Sequence, residues 1–250
     1  MLEARDIAFS YRKSQPLLRG VSVAVEPGVF TAILGQNGCG KSTLLSLLTA
    51  QRPPERGEVL LDGVPIEKID RRERARKIAF VSQHSHANRL TVFDSVLLGR
   101  RPFMDSAPTA EDRAIVSDVL CDLSLQDYAL RYMDELSGGE YQVVVLARAF
   151  AQQTDTLLLD EPTNNLDPAR QQEVMKLVRR EIDKRGIGAA AVMHDINLAL
   201  QHCDKLFFIK DGCVDAEGGP EIVDSELVER IYAMHVDVFV HDGRRVVVPR

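Results

Sequence analysis

At 250 residues, with 45% hydrophobic and 27% charged side chains, the chain has the make-up of one large globular α/β domain or two smaller ones. No apolar run approaches the roughly 18 residues of a membrane-spanning helix. The start, Met-Leu-Glu-Ala-Arg-Asp, lacks the apolar stretch of a signal peptide, so a cytoplasmic chain is expected, reaching a membrane only through a partner. A net charge of −6 speaks against a broad nucleic-acid footprint, and four cysteines with no paired C-x-x-C spacing fit reduced thiols, not a disulfide frame or a zinc site.

Leu2 to Tyr11 alternates apolar and polar residues as a half-buried strand does, and Val21 to Val25 repeats the pattern. Glu26-Pro27-Gly28 turns the chain into Val29 to Leu34, an apolar, β-branched run suited to a buried strand. Gly35-Gln36-Asn37-Gly38-Cys39-Gly40-Lys41-Ser42-Thr43 follows, and Lys41 to Ala50 is Leu-rich at helical spacing and free of Gly and Pro. Strand, G-x-x-x-x-G-K-[ST] and helix together read as the phosphate-binding loop of a nucleoside triphosphatase. The glycines let backbone N–H groups turn inward around phosphate oxygens, and the helix N-terminus adds partial positive charge. By the motif's usual roles Lys41 reaches the β- and γ-phosphates and Ser42 ligates Mg²⁺. Residue frequencies put a chance match in a chain this long at about one in a hundred, which favours nucleotide binding over an ordinary Gly-rich turn.

Beyond the loop helix, Arg52 to Gly57 is a breaker cluster, and Glu58 to Gly63 is a short strand ending in an Asp-Gly turn. Arg71 to Lys77 is the one basic block; interleaved with Glu73, it reads as a solvated helix face. Lys77 to Ser82 is a further buried strand, ending at Gln83, and His84 and His86 read as loop polarity, not as a metal pair. From Thr91 to Ala151 the pattern is helical, with capping threonines at Thr91 and Thr109 each followed three residues later by an acid and with Gly99 to Pro108 separating the two helices. Thr156 to Asp160 is a core strand ending on a carboxylate, Asp167 to Arg185 a helix, and Ile187 to Met193 and Leu206 to Lys210 strands. Such alternation implies a largely parallel sheet with helices on its faces. The tail carries two β-branched runs around Asp242-Gly243, a hairpin signal.

A second motif stands at Leu136-Ser137-Gly138-Gly139-Glu140. Ser137 and Glu140 form a capping-box pattern for a helix running to Ala151, and two glycines in its first turn leave N–H groups open to an anion. Taken alone, this is a well-capped helix. Followed by Gln142 and Ala147-Arg148-Ala149, it strongly resembles the signature of ABC-type ATPases, and with it the resemblance covers essentially the whole chain.

The resemblance implies a fold and a set of roles. The fold is α/β: a P-loop NTPase (RecA-like) core with an N-terminal antiparallel β subdomain and a helical subdomain inserted at approximately 88–152 of a single 1–250 ATPase domain. Tyr11 matches the aromatic that stacks on adenine of ATP. Gln83 matches the glutamine at the hinge to the helical subdomain, which senses Mg²⁺ and the attacking water. Asp160 supports Mg²⁺, largely through water, and Glu161 is the catalytic base. Asn165-Leu166-Asp167 matches the loop that crosses the dimer interface, and His194 the switch histidine near the γ-phosphate. Ser137, Gly138 and Gly139 would close over ATP held by the loop, Gly35 to Thr43, of another subunit, giving two composite sites in a head-to-tail homodimer. Tyr141 and Val143 depart from the polar or basic residues that commonly follow the signature Glu.

Within the family, Leu90 to Pro102 and Met193 to Leu200, then Lys210-Asp211-Gly212, look like the ATPases of iron-siderophore, haem and cobalamin importers. That branch implies an integral membrane permease docking beside Gln83 and residues 84–105, and an extracytoplasmic substrate-binding protein that delivers cargo. A metal-ion importer, an exporter and a soluble non-transport ABC ATPase are the alternatives.

Overall fold

The computed structural model describes residues 1–12, 15–82 and 89–250. In chain order, the N-terminal part runs β1 (Leu2–Arg12), β2 (Gln15–Val25), β3 (Phe30–Leu34), α1 (Lys41–Leu48), β4 (Arg56–Leu61), β5 (Val64–Pro65), α2 (Arg71–Lys77) and β6 (Ile78–Val81). Three helices follow: α3 (Val92–Leu97), α4 (Ala110–Asp122) and α5 (Gly138–Ala151). The C-terminal part is β7 (Thr156–Asp160), α6 (Pro168–Arg185), β8 (Gly188–Val192), α7 (Ile196–His202), β9 (Lys205–Lys210), β10 (Cys213–Gly218), α8 (Ser225–Tyr232), β11 (Val236–His241) and β12 (Arg244–Pro249).

The central sheet has the order β10-β9-β3-β8-β7-β6, parallel throughout except for the antiparallel edge strand β10. Alternation along its strands divides the core in two. Phe30, Ala32, Leu34, Leu157, Leu159, Ala189 and Ala191 face α5, α6, α7 and α8 on one side. Ile33, Leu158, Ala190 and Val192 face the other side, where α1 and the antiparallel sheet β2-β1-β4-β5 pack. Strands covered on both faces read as continuous apolar runs, as β3, β7 and β8 do. α1 is enclosed between the two sheets, with Leu44, Leu45, Leu47 and Leu48 at most 1% exposed. Each such leucine contributes about 1.5–3 kcal/mol by burial, which is ample to hold a helix of two turns.

A third cluster, Val92, Val96, Val116, Leu120, Val144 and Ala147 among its members, joins α3, α4 and α5. Its centre also contains an ion pair: Arg100 donates through Nε to Asp112 Oδ1 at 3.0 Å, with the two side chains only 7% and 5% exposed. The guanidinium also donates to the Ala151 carbonyl and lies over the Phe103 ring. Asp112 completes the capping box with Thr109 that the sequence pattern predicts, and those donors hold its carboxyl below the usual range.

Three features differ from expectation. The Gly99–Pro108 stretch is not a plain separator: Leu98–Phe103 winds as a 3₁₀ helix, with Gly99 so close to α5 that a Cβ would lie 2.2 Å from the Arg148 carbonyl oxygen. The basic block is not simply a solvated face, because Arg72 donates to the Pro102 and Met104 carbonyls and to Asp105, and Arg76 to the Pro102 carbonyl. Finally, β10 and α8 are elements that the sequence reading does not include. β10 alternates exposed and half-buried residues with no apolar run, whereas α8 is short and starts from Asp224, whose carboxylate accepts from the Leu227 N–H. The hairpin around Asp242-Gly243 forms as predicted, with both residues at positive φ (47° and 76°) between β11 and β12.

Replacing Asp112 with Ala strands the Arg100 guanidinium in a buried place. Urea unfolding of Asp112→Ala is expected to show a loss of about 3–5 kcal/mol, while Arg100→Met/Asp112→Ala recovers the part due to the stranded guanidinium and not the Thr109 capping contacts.

Candidate active site

β3 delivers the chain to its C-terminal end at Leu34, and the next residues turn sharply into α1. Gly35 has φ 147°, and a Cβ there would lie 2.2 Å from the Ile209 carbonyl oxygen of β9, so only glycine fits against the neighbouring strand. Gly40 stands at the N-cap of α1 in the left-handed region. Among the described α-helices, α2 to α8 each begin with an Asp, Thr or Ser side chain accepting a first-turn N–H, and α1 alone begins with none. With no N-cap side chain there, the first turn of α1 offers backbone N–H groups suited to an anion.

The side chains around this end are paired with each other. Lys41, 5% exposed, folds back so that Nζ donates to the Gly35 carbonyl at 2.7 Å and the Gln36 carbonyl at 2.9 Å. Burial pulls its pKa down, and Cys39, Glu161 and Asp160 oppose that shift. Ser42 Oγ donates to Asp160 Oδ1 at 2.9 Å. Asp160 ends β7 and is 8% exposed; burial raises its pKa, partly offset by the Ser42 hydroxyl. The Tyr11 hydroxyl lies 3.1 Å from Thr43 Oγ1, its ring 59% exposed, with Phe9 edge-on and the Arg52 guanidinium 5.1 Å from the ring centroid.

Glu161 follows Asp160 with φ 53°, a left-handed conformation uncommon for a residue with a side chain. Its N–H donates to the Val192 carbonyl, anchoring the turn to the end of β8. Its Oε1 lies 2.6 Å from His194 Nε2, and its Oε2 accepts from Asn164 Nδ2 at 2.9 Å. His194 sits just beyond β8, where Asp195 caps α7 through the Leu198 N–H. Because β3, β8 and β7 are neighbours in the sheet, the loop, His194 and the two carboxylates emerge side by side. This is the end of a parallel sheet at which ligands bind. Tyr11, Leu17, Lys41, Ser42, Thr43, Glu161 and His194 line one open cleft there.

Ser137, Gly138 and Gly139 are not among the residues lining that cleft. They open α5, with the Ser137 Oγ and N–H both donating to Glu140 Oε2 at 2.7 and 2.8 Å. Gly138 has open space where a Cβ would be, and Gly139 is flanked by the Arg170 side chain. The residues that depart from the signature pattern point inward: Val143 is 5% exposed in the core of the helical cluster, and Tyr141 packs at its junction with the main core. Gln83 lies outside the described residues. Leu17, Arg52 and Asn164 were not singled out by sequence. Only Asn164 had an available signal, its place three residues beyond Glu161.

A family model described as ABC transporter matches residues 18–164, more than half of the chain. An ABC transporter ATP-binding protein of Methanocaldococcus jannaschii is 44% identical over 251 residues, covering 100% of this chain and 98% of the relative. The petrobactin import ATP-binding protein of Bacillus subtilis is 36% identical over 98% of each chain. Of solved structures, a metal-chelate type ABC transporter in an inward-facing conformation superposes with a TM-score of 0.85 at 27% identity, covering 100% of this chain and 97% of that one. A dimeric bacterial ABC transporter cassette superposes at 0.78 with 29% identity, covering 88% and 98%. A chain whose strand ends gather a phosphate loop, two carboxylates and a histidine, and which matches these proteins along its length, belongs to the ABC transporter family as one of its ATP-binding proteins.

Proposed function

We propose that this ATPase powers uptake of an iron chelate, a siderophore or haem, through a partner permease. It would work as a head-to-tail dimer at the cytoplasmic face of the membrane, with cargo delivered by an extracytoplasmic substrate-binding protein. Full-length similarity to a petrobactin import ATP-binding protein and to a metal-chelate type transporter supports the cargo class. Among the described residues no helix is long and apolar enough to cross a membrane, so the translocation path is assigned to the permease.

The observation that carries the enzymatic reading is that Lys41, Ser42 and the Glu161–His194 pair line one cleft, with Asp160 bonded to Ser42. Lys41 would exchange its two loop carbonyls for the β- and γ-phosphates, and the uncapped N–H groups of α1 would take the remaining oxygens. Tyr11 would offer its exposed ring to the adenine. Ser42 and Asp160 supply two adjacent oxygen donors, a set that suits Mg²⁺, which takes few protein ligands and fills its sphere with water and phosphate oxygens. Ser42 and Asp160 would hold Mg²⁺, which when bound would supply neutralisation of charge on the phosphate oxygens; Gln83 is assigned a place beside them by resemblance alone. Glu161 would accept a proton from water as its oxygen attacks the γ-phosphorus, the bond to the β-phosphate oxygen breaks, and ADP departs. His194 would release Glu161 and turn to the γ-phosphate.

In this reading one chain holds half a site. Ser137 to Gly139 lie off the chain's own cleft, and a second copy would bring them over the γ-phosphate, in keeping with the dimeric relative. Closure would depend on γ-phosphate contacts and end with hydrolysis.

Glu161→Gln is expected to bind ATP, trap an ATP-dependent dimer on size-exclusion chromatography and lose about 10²–10⁴-fold in turnover; ordinary turnover would remove Glu161 as the base. Lys41→Ala is expected to lose nucleotide affinity itself, measured by calorimetry. Stability should carry the imprint of the buried carboxylate. Burial raises the Asp160 pKa, so the unfolded chain ionises first as pH rises, and stability is lost through that window. Asp160→Asn should therefore raise the Tm of the nucleotide-free protein at neutral pH, with the gain vanishing below about pH 4, where the aspartate is protonated in both states. For the cargo, ATPase activity of the chain reconstituted with its permease should rise with a binding protein loaded with an iron chelate; stimulation by an intracellular substrate alone would favour an exporter.

A further inference from the structure

Glu161 is held from two sides. His194 Nε2 meets Oε1 at 2.6 Å, and Asn164 Nδ2 donates to Oε2 at 2.9 Å. The two donors come from different parts of the fold. His194 follows β8, whereas Asn164 belongs to the turn that links β7 to α6. That turn is tightly built: the Asn164 N–H donates to the Glu161 carbonyl, the Leu166 N–H to the Thr163 carbonyl, and Asn165 has φ 59°. Pro162 and Thr163 are buried beneath it, and Asp167 ends it by capping α6.

We propose that Asn164 is a positioning residue for hydrolysis, fixing the plane of the Glu161 carboxylate so that Oε1, and not Oε2, receives the proton of the attacking water. This rests on the reading of Glu161 as the base. The terminal torsion of a glutamate is broad and two-fold, so backbone placement alone leaves the two oxygens interchangeable. An amide N–H engaged with Oε2 removes that freedom and leaves the other oxygen facing the cleft, on the side where His194 stands. When His194 turns to the γ-phosphate, Oε1 gives up that contact while Oε2 keeps Asn164. The water proton then passes to Oε1 as the water oxygen bonds to phosphorus and the bond to ADP breaks; it leaves later with the phosphate product. An amide is suited to this place because it donates to the carboxylate without adding charge. Because Asn164 directly precedes the Asn165-Leu166-Asp167 segment, any shift of that segment on closure reaches the carboxylate through one hydrogen bond.

The test uses steady-state ATPase kinetics and thermal unfolding of the full chain. Asn164→Ala is expected to lower kcat about tenfold or more, with KM for ATP and Tm unchanged. Asn164→Asp keeps the size and turn preference but removes the donor, and should be as slow or slower. In the Glu161→Gln background, Asn164→Ala should add no further loss, because its effect runs through the carboxylate. A full kcat in Asn164→Ala, a loss that appears in Tm or KM, or losses that multiply in the double variant would each overturn the proposal. Normal turnover in Glu161→Gln would instead sink the assignment of the base, so the two failures are distinguishable.

Discussion

Everything polar in the cleft depends on the adjacency of β3, β8 and β7. Parallel pairing in the order β3-β8-β7 brings three strand ends to one edge, and each end contributes a different chemical group. β3 leads into the phosphate loop, β7 ends on Asp160 and Glu161, and β8 leads to His194. The spacing between neighbouring strands, roughly 5 Å, sets the distances at which these groups meet. A one-residue slip in register would reverse the faces of Leu157, Leu158 and Leu159 and also carry Asp160 away from Ser42. Core packing and site geometry are therefore fixed by the same hydrogen-bond ladders.

Within the chain the reactive groups are bonded to neighbouring groups of the same chain. Lys41 is occupied by loop carbonyls, Ser42 by Asp160, and Glu161 by His194 and Asn164. Nucleotide binding is thus an exchange of partners, in which each new contact must exceed the internal one it replaces. Two of the groups, Lys41 and Asp160, are also shifted by burial toward their neutral forms. In the proposed reading the site would favour a ligand carrying charge of both signs, phosphate for the lysine and a cation for the aspartate, since either alone would leave one buried charge without relief. The missing helix cap has the same logic: seven of the described α-helices have a side chain capping their first turn, and α1 has none.

Much of this was legible from local signals with a direct physical cause. The Gly-Lys-Ser loop, the capping residues Thr91, Thr109 and Ser137, and the Asp242-Gly243 hairpin all appear where sequence places them, because each is determined within a few residues. Less local features were hidden. The Arg72 clasp on Pro102 to Asp105 depends on two segments thirty residues apart, so the sequence shows only a charged helix face. β10 has no apolar run because it is an edge strand with one partner, whereas α8 carries a readable signal, Leu227, Val228 and Ile231 at helical spacing behind the Asp224 cap. Asn164 has no role in the sequence reading; its contact with Glu161 follows from the turn's curvature. The inward direction of Tyr141 and Val143 likewise became visible only with α4 packed against α5, and it removes their departure from the signature's usual flank from the anion-facing side.

The left-handed backbone of Glu161 sets stability against activity at one position. A side-chain-bearing residue held at φ 53° costs about 1–2 kcal/mol, whereas glycine or asparagine adopts this conformation with less penalty. Random substitution at codon 161 thus has a downhill direction in backbone strain that leads away from the carboxylate. Selection for abundance or heat resistance would drift toward that outcome unless transport is required at the same time. A consensus-free stabilising redesign that scores only backbone compatibility would choose the same residue early. Lineages that retain the fold after losing the pump should carry the scar here, as an inert nucleotide-binding relative that unfolds later than its working parent.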